Sequence, residues 1–414
     1  MTGITTGVTG GGWRATVTGW GAIEPWAGGE PLDWHVAADD RWHSPRREPA
    51  VRQRRVDGTA VVETRLRIPD GDAVQRVYSV PDDGGLTIVE VENDSPLPIA
   101  VAFTHPGLLS SRPPSAPIDG ITLPAGSVAF PIGHHATIAV AIAHDGRGAG
   151  TLPAGLPTAA GVVRGWTSIS ERVSRLLLPD PALGERVVAE RCELALVGPD
   201  HPDDDPVAFL LGVGQLVRMG DRAGEWVPDV AHALELAAKS ASRDWALAAA
   251  VDAADHVLVA AGEQRARRDA GAVRAHLACD PALPAAAPTG RAHFLVWAER
   301  RIVDIGLDGA QLFVAGLPSG WEGSNFEVYG LPTSGTGSVS FAVRWHGERP
   351  AVLWEQSGAS TALSAPLLAP GWHTAEVKGE ALWPPPPGAA TNVGAAGAQV
   401  PATAPLPAEG GSFS

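Results

Sequence analysis

Several residue types on which whole protein classes depend are scarce in this sequence. Its 414 residues include only two cysteines, Cys192 and Cys279, and only two lysines, Lys239 and Lys378. Two cysteines cannot build a disulfide framework or a multi-cysteine metal site. His35, His43, Asp39 and Asp40 are possible metal ligands by type, but their spacing matches no zinc or calcium motif, so we expect no metal. The formal net charge of −15 argues against a nucleic-acid partner, because phosphate binding requires clustered basic side chains.

Long apolar runs and the motifs of several enzyme classes are also missing. No stretch of 18 or more apolar residues occurs, and the first residues, MTGITTGVTGGGWRATV, contain neither a basic segment nor an apolar one of useful length. We therefore expect no membrane partner and a cytoplasmic location. The glycines of GVTGGGW lack the GK[ST] of a phosphate-binding loop, and neither G-x-S-x-G nor H-E-x-x-H occurs. These absences predict no cofactor and argue against serine and zinc hydrolases.

Residues 1–175 have the pattern of an antiparallel β-sandwich domain. Short runs rich in valine, isoleucine and threonine alternate with turn clusters such as PDG, PDDGG and NDSP, at the spacing typical of antiparallel strands. In the run at 62–68, Glu63, Arg65 and Arg67 alternate with apolar residues. Since side chains in a strand alternate between the two faces of a sheet, one face is predicted to be charged and to lie in water or against a polar partner.

Residues 176–285 have a helical pattern. Apolar residues recur at spacings of three and four after the Pro-Asp-Pro at 179–181, and acidic residues precede Pro206, which suits a first helical turn. The length of this alanine-rich region predicts four to six helices without intervening strands, which bury an Ala, Leu and Val face against a sandwich. Cys192 lies among the apolar positions and is predicted to be a core residue.

A second block of strands is predicted at residues 286–383, beginning with HFLVWAERRIVDIGLD. Residues 384–414 are rich in proline, glycine and alanine, and they are predicted to be a disordered tail because they cannot bury enough apolar area to offset the loss of chain entropy. The predicted fold class is therefore α+β and multidomain. It has an N-terminal antiparallel β-sandwich, a short all-α segment, a small C-terminal β-sandwich block and the tail.

Tryptophan is unusually frequent, with 14 residues against 8 phenylalanines and 2 tyrosines. An indole ring can stack on the face of a sugar ring while arginine and carboxylate side chains bind the sugar hydroxyls. The segment DWHVAADDRWH and the C-terminal block combine these residue types, so we predict glycan contacts by Trp34, Arg41, Trp42, Trp321 and Arg344. The alternative is that the tryptophans fill two sandwich cores.

Four acidic residues are candidates for catalysis by residue type. Glu225 and Asp229 lie in GDRAGEWVPDV, which is interpreted as a loop, and Glu322 and Glu355 lie in the C-terminal block. A glycosidase needs two carboxyl groups about 5 to 9.5 Å apart that flank the scissile bond. Charges that protect an edge strand from aggregation would explain the C-terminal acids equally well.

Two stretches resemble a known enzyme family. QRVYSVPDDGGLTIVEVENDSPLPIAVAFT resembles the N-terminal sandwich strands of the glucoamylase and maltose-phosphorylase kind of glycoside hydrolases and phosphorylases, and LFVAGLPSGWEGSNFEVYGLPTSGTGSVSFAVRWHGERPAVLWE resembles their C-terminal block. The order of sandwich, helices and β block is also similar. The family has a toroid of about a dozen helices, whereas about 100 residues allow roughly four to six helices here. The resemblance therefore implies a carbohydrate ligand and transfers no catalytic residue.

Three functions are consistent with these observations. The first is a carbohydrate-recognising protein, a reduced relative of these enzymes without a full toroid, which binds a glycan or oligosaccharide. The second is an active glycosidase with a reduced helical domain, and the third is a structural or protein-interaction β-sandwich protein whose tryptophans are all core. The sequence does not specify the oligomeric state.

Overall fold

The structure is a computed structural model that describes residues 3–38, 41–105, 107–115, 123, 126–239, 242–306 and 309–386. Within these ranges the fold is α+β, with a strand-rich N-terminal region, a central group of helices and a C-terminal group of strands. The predicted fold class is confirmed for these parts. Residues 387–414 of the predicted tail lie outside the described residues.

Three sheets form the N-terminal sandwich, and they enclose one apolar core. Their strand orders are β1-β2-β3, β12-β10-β4-β5 and β14-β11-β13-β9-β8-β7-β6. Val17, Trp34 and Val89, one from each sheet, are fully buried in this core. The strands are β1 (Ile4–Gly7), β2 (Arg14–Val17), β3 (Ile23–Pro25), β4 (Trp34–Ala37), β5 (Trp42–His43), β6 (Val51–Arg55), β7 (Val62–Ile68), β8 (Gly71–Val80), β9 (Leu86–Asp94), β10 (Ile99–Phe103), β11 (Leu109–Ser110), β12 (Val128–Ile132), β13 (Thr137–Ala143) and β14 (Gly150–Thr151).

The predicted charged face lies on strands β6, β7 and β8. Glu63 stands opposite Arg54 on one neighbouring strand and opposite Arg76 on the other. Its carboxylate accepts hydrogen bonds from Arg54, Arg65 and Arg76 at 3.0, 3.1 and 3.2 Å. Burial opposes ionisation of Glu63, but the hydrogen bonds and charges of Arg65 and Arg54 outweigh it and lower its pKa. Opposite charges on adjacent strands therefore stabilise this part of the sheet.

Seven helices follow within the described residues, and side-chain caps fix several of their starts. The side chains of Thr158, Asp180, Asp205 and Asp244 accept hydrogen bonds from backbone N–H groups of the first turns of four helices. Such caps satisfy N–H groups that have no partner inside the helix. The helices are α1 (Ala159–Glu171), α2 (Pro181–Val197), α3 (Pro206–Met219), α4 (Ala223–Lys239), α5 (Trp245–Ala261), α6 (Gln264–His276) and α7 (Arg291–Arg300).

The helices extend further along the chain than the sequence pattern predicted. Five of them, α2 to α6, lie between residues 180 and 279, and the described residues between 204 and 262 contain no strand, as predicted. Helix α1, however, lies in the region expected to be sandwich, and HFLVWAER, expected to be a strand, belongs to α7. A short apolar run does not by itself distinguish a buried helix from a buried strand.

The helices pack mainly against one another rather than against the sandwich. Eleven of the fourteen residues of α3 are buried, and this helix contacts α4, α5 and α7. A Cβ atom on Gly214 would lie 2.8 Å from the Cβ of Ala253, so glycine allows α3 and α5 to approach closely. Contact with the sandwich is made by α1 and α2, where Trp166 and Cys192 pack with Ala60. Of the helices in the predicted segment, α2 thus shows the expected docking on the N-terminal sandwich.

The C-terminal strands form a five-stranded sheet, β15-β18-β19-β20-β23, and a four-stranded sheet, β16-β17-β21-β22, around an apolar core of their own. Strand β15 precedes α2 to α7 in sequence and pairs with β18, which follows them. The helical group is therefore inserted between two neighbouring strands. These strands are β15 (Arg175–Leu177), β16 (Val303–Gly306), β17 (Gly309–Leu312), β18 (Phe326–Pro332), β19 (Gly337–His346), β20 (Arg349–Gly358), β21 (Leu363–Ser364), β22 (His373–Thr374) and β23 (Lys378–Leu382).

The two cysteines provide a test of this fold. Cys192 is 1% exposed, and burial raises the pKa of its thiol to about 12, whereas Cys279 is partly exposed. Because the thiolate is the reactive form, an aromatic disulfide reagent should label one thiol in the native protein and two after unfolding. The Cys279→Ser variant should show almost no native labelling. Rapid labelling of Cys192 in that variant would contradict the packing of α2 on α1.

Candidate functional site

A cavity of about 730 Å³ lies between the helical group and the C-terminal strands. Its walls come from α3, α5, α6 and α7, and from the loop 333–336 that joins β18 to β19. Ligand sites for small molecules occupy volumes of about 300 to 1,000 Å³ and often lie where two structural units meet. The position and the size of this cavity make it the candidate site.

Small residues make room for the cavity. Gly335, in the loop after β18, lies so close to α5 that a Cβ atom there would be 2.5 Å from Oδ2 of Asp255. On α6, a Cβ atom added to Gly271 would meet no atom within 4 Å. Glycine in this loop thus leaves room for the carboxylate of Asp255, while the wall formed by α6 faces open space at Gly271.

Glu299, near the end of α7, is buried in the inner wall of the cavity and accepts hydrogen bonds from four side chains. Arg191 donates to it at 2.9 Å, Arg218 at 2.7 Å, the hydroxyl of Ser174 at 2.7 Å and the amide of Gln215 at 3.1 Å. These donors lie on α2, on α3 and just before β15. One carboxylate therefore connects three helices with the first strand of the C-terminal sheet.

The environment of Glu299 keeps it ionised. Burial alone would raise the pKa of the carboxyl group, but the positive charges of Arg218 and Arg191 and the hydrogen bonds from Arg218 and Ser174 lower it to about 2. A buried charge is tolerated when it is paired and hydrogen-bonded in this way. Glu299 consequently carries no proton near neutral pH.

A second group of charges lies on α5 in the cavity wall. Asp252 is paired with Arg300 and with Arg274, the latter at 3.1 Å. Asp255, one turn later, is paired with Arg267 at 2.9 Å. The next residue, His256, is hydrogen-bonded at 3.1 Å to the carbonyl of Gly335, and burial lowers its pKa, so its ring is neutral near pH 7. All three carboxylates of the cavity wall thus have arginine partners.

Gln215 has a hydrogen-bond acceptor that remains unused. The residue lines the cavity and is 1% exposed. Its amide nitrogen donates to Glu299, because a carboxylate can only accept, and this fixes the orientation of the amide group. Its Oε1 atom is buried and has no hydrogen-bond partner among the described residues. Such an acceptor is costly unless a water molecule or a ligand donates to it.

The tryptophans predicted to bind a glycan are mostly core residues. Trp34 is 0% exposed in the N-terminal core and donates through Nε1 to the carbonyl of Trp20, and Trp321 is 3% exposed in the C-terminal core. A stacking platform needs an open ring face, so these two expectations are corrected. Trp42 on β5 is half-buried, and the exposed Arg41 beside it is paired with Glu48 at 2.6 Å.

The remaining predicted residues lie on surfaces away from the cavity. Arg344 lies on β19 and is paired with Glu327 of β18. The four acids proposed for catalysis are exposed: Glu225 and Asp229 on α4, Glu322 in the loop before β18 and Glu355 on β20. The segment GDRAGEWVPDV, interpreted as a loop, begins α4, since Glu225 suits a first turn and the helix continues through Pro228. None of the nine predicted residues lines the cavity.

The residues of the cavity wall were missed by the sequence analysis, although one signal was present. Gln215 and Arg218 interrupt the apolar helix VAFLLGVGQLVRM, and Glu299 follows the apolar part of α7. Polar residues at such positions require partners in the core. Their partners cannot be identified from spacing, because Arg191, Gln215 and Glu299 are far apart in sequence.

Comparisons with known proteins give no further assignment. Scans against protein-family models, curated proteins and solved structures find no match to this chain. Across the described part of the chain, no helix combines the length and apolar character needed to cross a membrane. The same residues contain no group of three or more His, Cys, Asp or Glu side chains that could hold a metal ion.

Replacing Glu299 by glutamine should strongly destabilise the protein. The change leaves Arg191 and Arg218 without their buried counter-charge, so we expect a loss of about 3 to 5 kcal/mol in the free energy of unfolding at pH 7.

The stabilising effect of ionised Glu299 is complete above the unfolded pKa of about 4.3 and is lost as the pH falls toward the folded value of about 2. Denaturant unfolding at a series of pH values should therefore show that the parent and Glu299→Gln differ less in unfolding free energy as the pH falls through this range. The exposed control Glu235→Gln should unfold like the parent, and an equally stable Glu299→Gln would contradict this assignment.

Tryptophan substitutions separate core from surface positions. Trp34→Ala and Trp321→Ala should each cost about 3 to 5 kcal/mol of stability, because each removes a ring buried in a packed core. Trp26, which is 51% exposed, is the matched control, and its replacement by alanine should cost much less. Equal melting temperatures for all three variants would restore Trp34 and Trp321 as candidate ligand contacts.

Proposed function

We propose that the protein recognises a small carbohydrate, of monosaccharide or disaccharide size, in the cavity between the helices and the C-terminal strands. The observation that carries the proposal is Gln215, whose buried Oε1 lacks a donor while its amide group is held in place by Glu299. A sugar hydroxyl can donate to Oε1 once the side chains that cover this buried atom move aside. A ligand without a hydrogen-bond donor would leave this acceptor unsatisfied.

The paired charges of the cavity wall support a hydroxyl-rich ligand. Asp252 is paired with Arg274 and Arg300, and all three residues line the cavity. Their N–H groups and carboxylate oxygens are fixed donors and acceptors, and hydroxyl groups can both donate and accept. The residues described around the cavity include no tryptophan, phenylalanine or tyrosine. The ligand would therefore be held by hydrogen bonds rather than by the ring stacking that the sequence suggested.

The charges favour binding over hydrolysis. A glycosidase needs a carboxyl group that is protonated near the working pH to act as the general acid. Glu299 has a pKa of about 2, and its oxygens are occupied by Arg191, Arg218, Ser174 and Gln215. The active glycosidase is therefore the second candidate, with no acid–base pair assigned to it.

The resemblance to the glucoamylase and maltose-phosphorylase family supports the same ligand class. The order of sandwich, helices and β block agrees with that resemblance, and the seven described helices are fewer than its toroid requires. We propose that the chain is a reduced relative that retains carbohydrate recognition. The proposal does not depend on any catalytic residue of the family.

A substitution at Gly271 tests the proposal without disturbing the core. Gly271 lines the cavity, and an added Cβ atom meets no atom within 4 Å, so leucine there should narrow the cavity without a clash. Leucine also favours the helix more than glycine does, so Gly271→Leu should fold at least as stably as the parent. Calorimetry with a panel of monosaccharides and disaccharides should show binding by the parent protein and at least a tenfold loss in Gly271→Leu.

Gly165 on α1 provides the matched control. It is an exposed helical glycine with no atom within 4 Å of an added Cβ, and it does not line the cavity, so Gly165→Leu should bind like the parent. Release of reducing sugar from the panel would identify the glycosidase instead. Binding unchanged by Gly271→Leu, or no binding of any sugar, would overturn the proposal.

A further inference from the structure

Positively charged side chains outnumber negatively charged ones around the cavity. The side chains of the wall and their ion-pair partners comprise six arginines and four acids, a net charge of +2 in a chain whose formal charge is −15. The arginines are Arg172, Arg191, Arg218, Arg267, Arg274 and Arg300, and the acids are Asp252, Asp255, Glu299 and Asp304. A local positive charge of this kind attracts an anion.

Among the described residues that line the cavity, Arg172 is the arginine without a carboxylate partner. It follows the last residue of α1, is exposed and lines the cavity. Among the described residues it has no ion pair, and its Nη1 atom donates only to the carbonyl of Met219 at 3.2 Å. The other arginines of the wall, by contrast, are each paired with a carboxylate.

The guanidinium of Arg172 lies close to the backbone at the end of α3. A Cβ atom on Gly220 would lie 2.8 Å from its Nη1, and Gly220 has a φ of +121°, which glycine adopts readily. The contact with Met219 uses one N–H group, and a guanidinium has five. The remaining N–H groups can bind an oxyanion in a bidentate manner.

We infer that the ligand of this cavity is an acidic sugar, whose hydroxyl groups bind at Gln215 and whose carboxylate or phosphate binds Arg172. The inference rests on the proposed function and adds the charge of the ligand to it. The two binding groups lie in the same cavity, one buried in its inner wall and one exposed. A neutral sugar would satisfy Gln215 but would leave Arg172 without a counter-charge.

Calorimetry with glucose, glucuronate and glucose 6-phosphate tests the inference. The parent protein should bind at least one of the two acids at least tenfold more tightly than glucose, and the better acid distinguishes a carboxylate site from a phosphate site. Since Arg172 is exposed, this preference should weaken as sodium chloride is raised. Inorganic phosphate alone should bind more weakly than the preferred acid, because it lacks the sugar hydroxyl groups that bind at Gln215.

Substitutions at Arg172 assign the preference to this residue. Arg172→Gln should bind the acids and glucose within about threefold of one another, and Arg172→Lys should recover part of the preference. Arg164→Gln, an exposed arginine on the same helix outside the cavity wall, should behave as the parent does. If glucose binds as tightly as both acids and Gly271→Leu abolishes its binding, the inference fails while the proposed function stands. If no sugar binds, both fail.

Discussion

The fold and the cavity depend on one buried carboxylate, that of Glu299. Two arginines, a serine and a glutamine from α2, α3 and the approach to β15 donate to it, and Glu299 itself is on α7. Removing such a group from water costs several kcal/mol, which only a complete set of partners offsets. The helices and the start of the C-terminal sheet must therefore be in place before the carboxylate can be buried, and we expect the cluster to favour this arrangement over others.

The same cluster determines the chemistry of the cavity. Glu299 fixes the amide of Gln215, so the opposite oxygen is left without a donor in the wall. Glu299 also pairs with Arg218, so that arginine already has a counter-charge. The wall arginine without a carboxylate partner among the described residues is Arg172, at the end of α1. One structural ion cluster thus separates the polar groups that hold the protein together from those that can recognise a ligand.

Much of the fold could be predicted from the sequence, but little of the site. Alternation in β7 predicted the charged sheet face around Glu63, and the apolar spacing around Cys192 predicted its burial, because both patterns are local. Helix α7 was mistaken for a strand, since its apolar run is short. The abundance of tryptophan does not reveal which rings are buried, and Trp34 and Trp321 proved to be core residues. The cavity combines residues from 172 to 338, and only tertiary packing brings those residues together.

The most direct test of this account is the titration of Glu299 itself. Carbon-13 NMR of the side-chain carboxyl, assigned by comparison with Glu299→Gln, follows its protonation in the folded protein. A carboxylate held by Arg191 and Arg218 should keep the chemical shift of its ionised form from pH 7 to about pH 3, in accord with a pKa of about 2. A titration with its midpoint at or above the unperturbed value of about 4.3 would show that the arginines do not surround this group, and the account of the cavity would be contradicted.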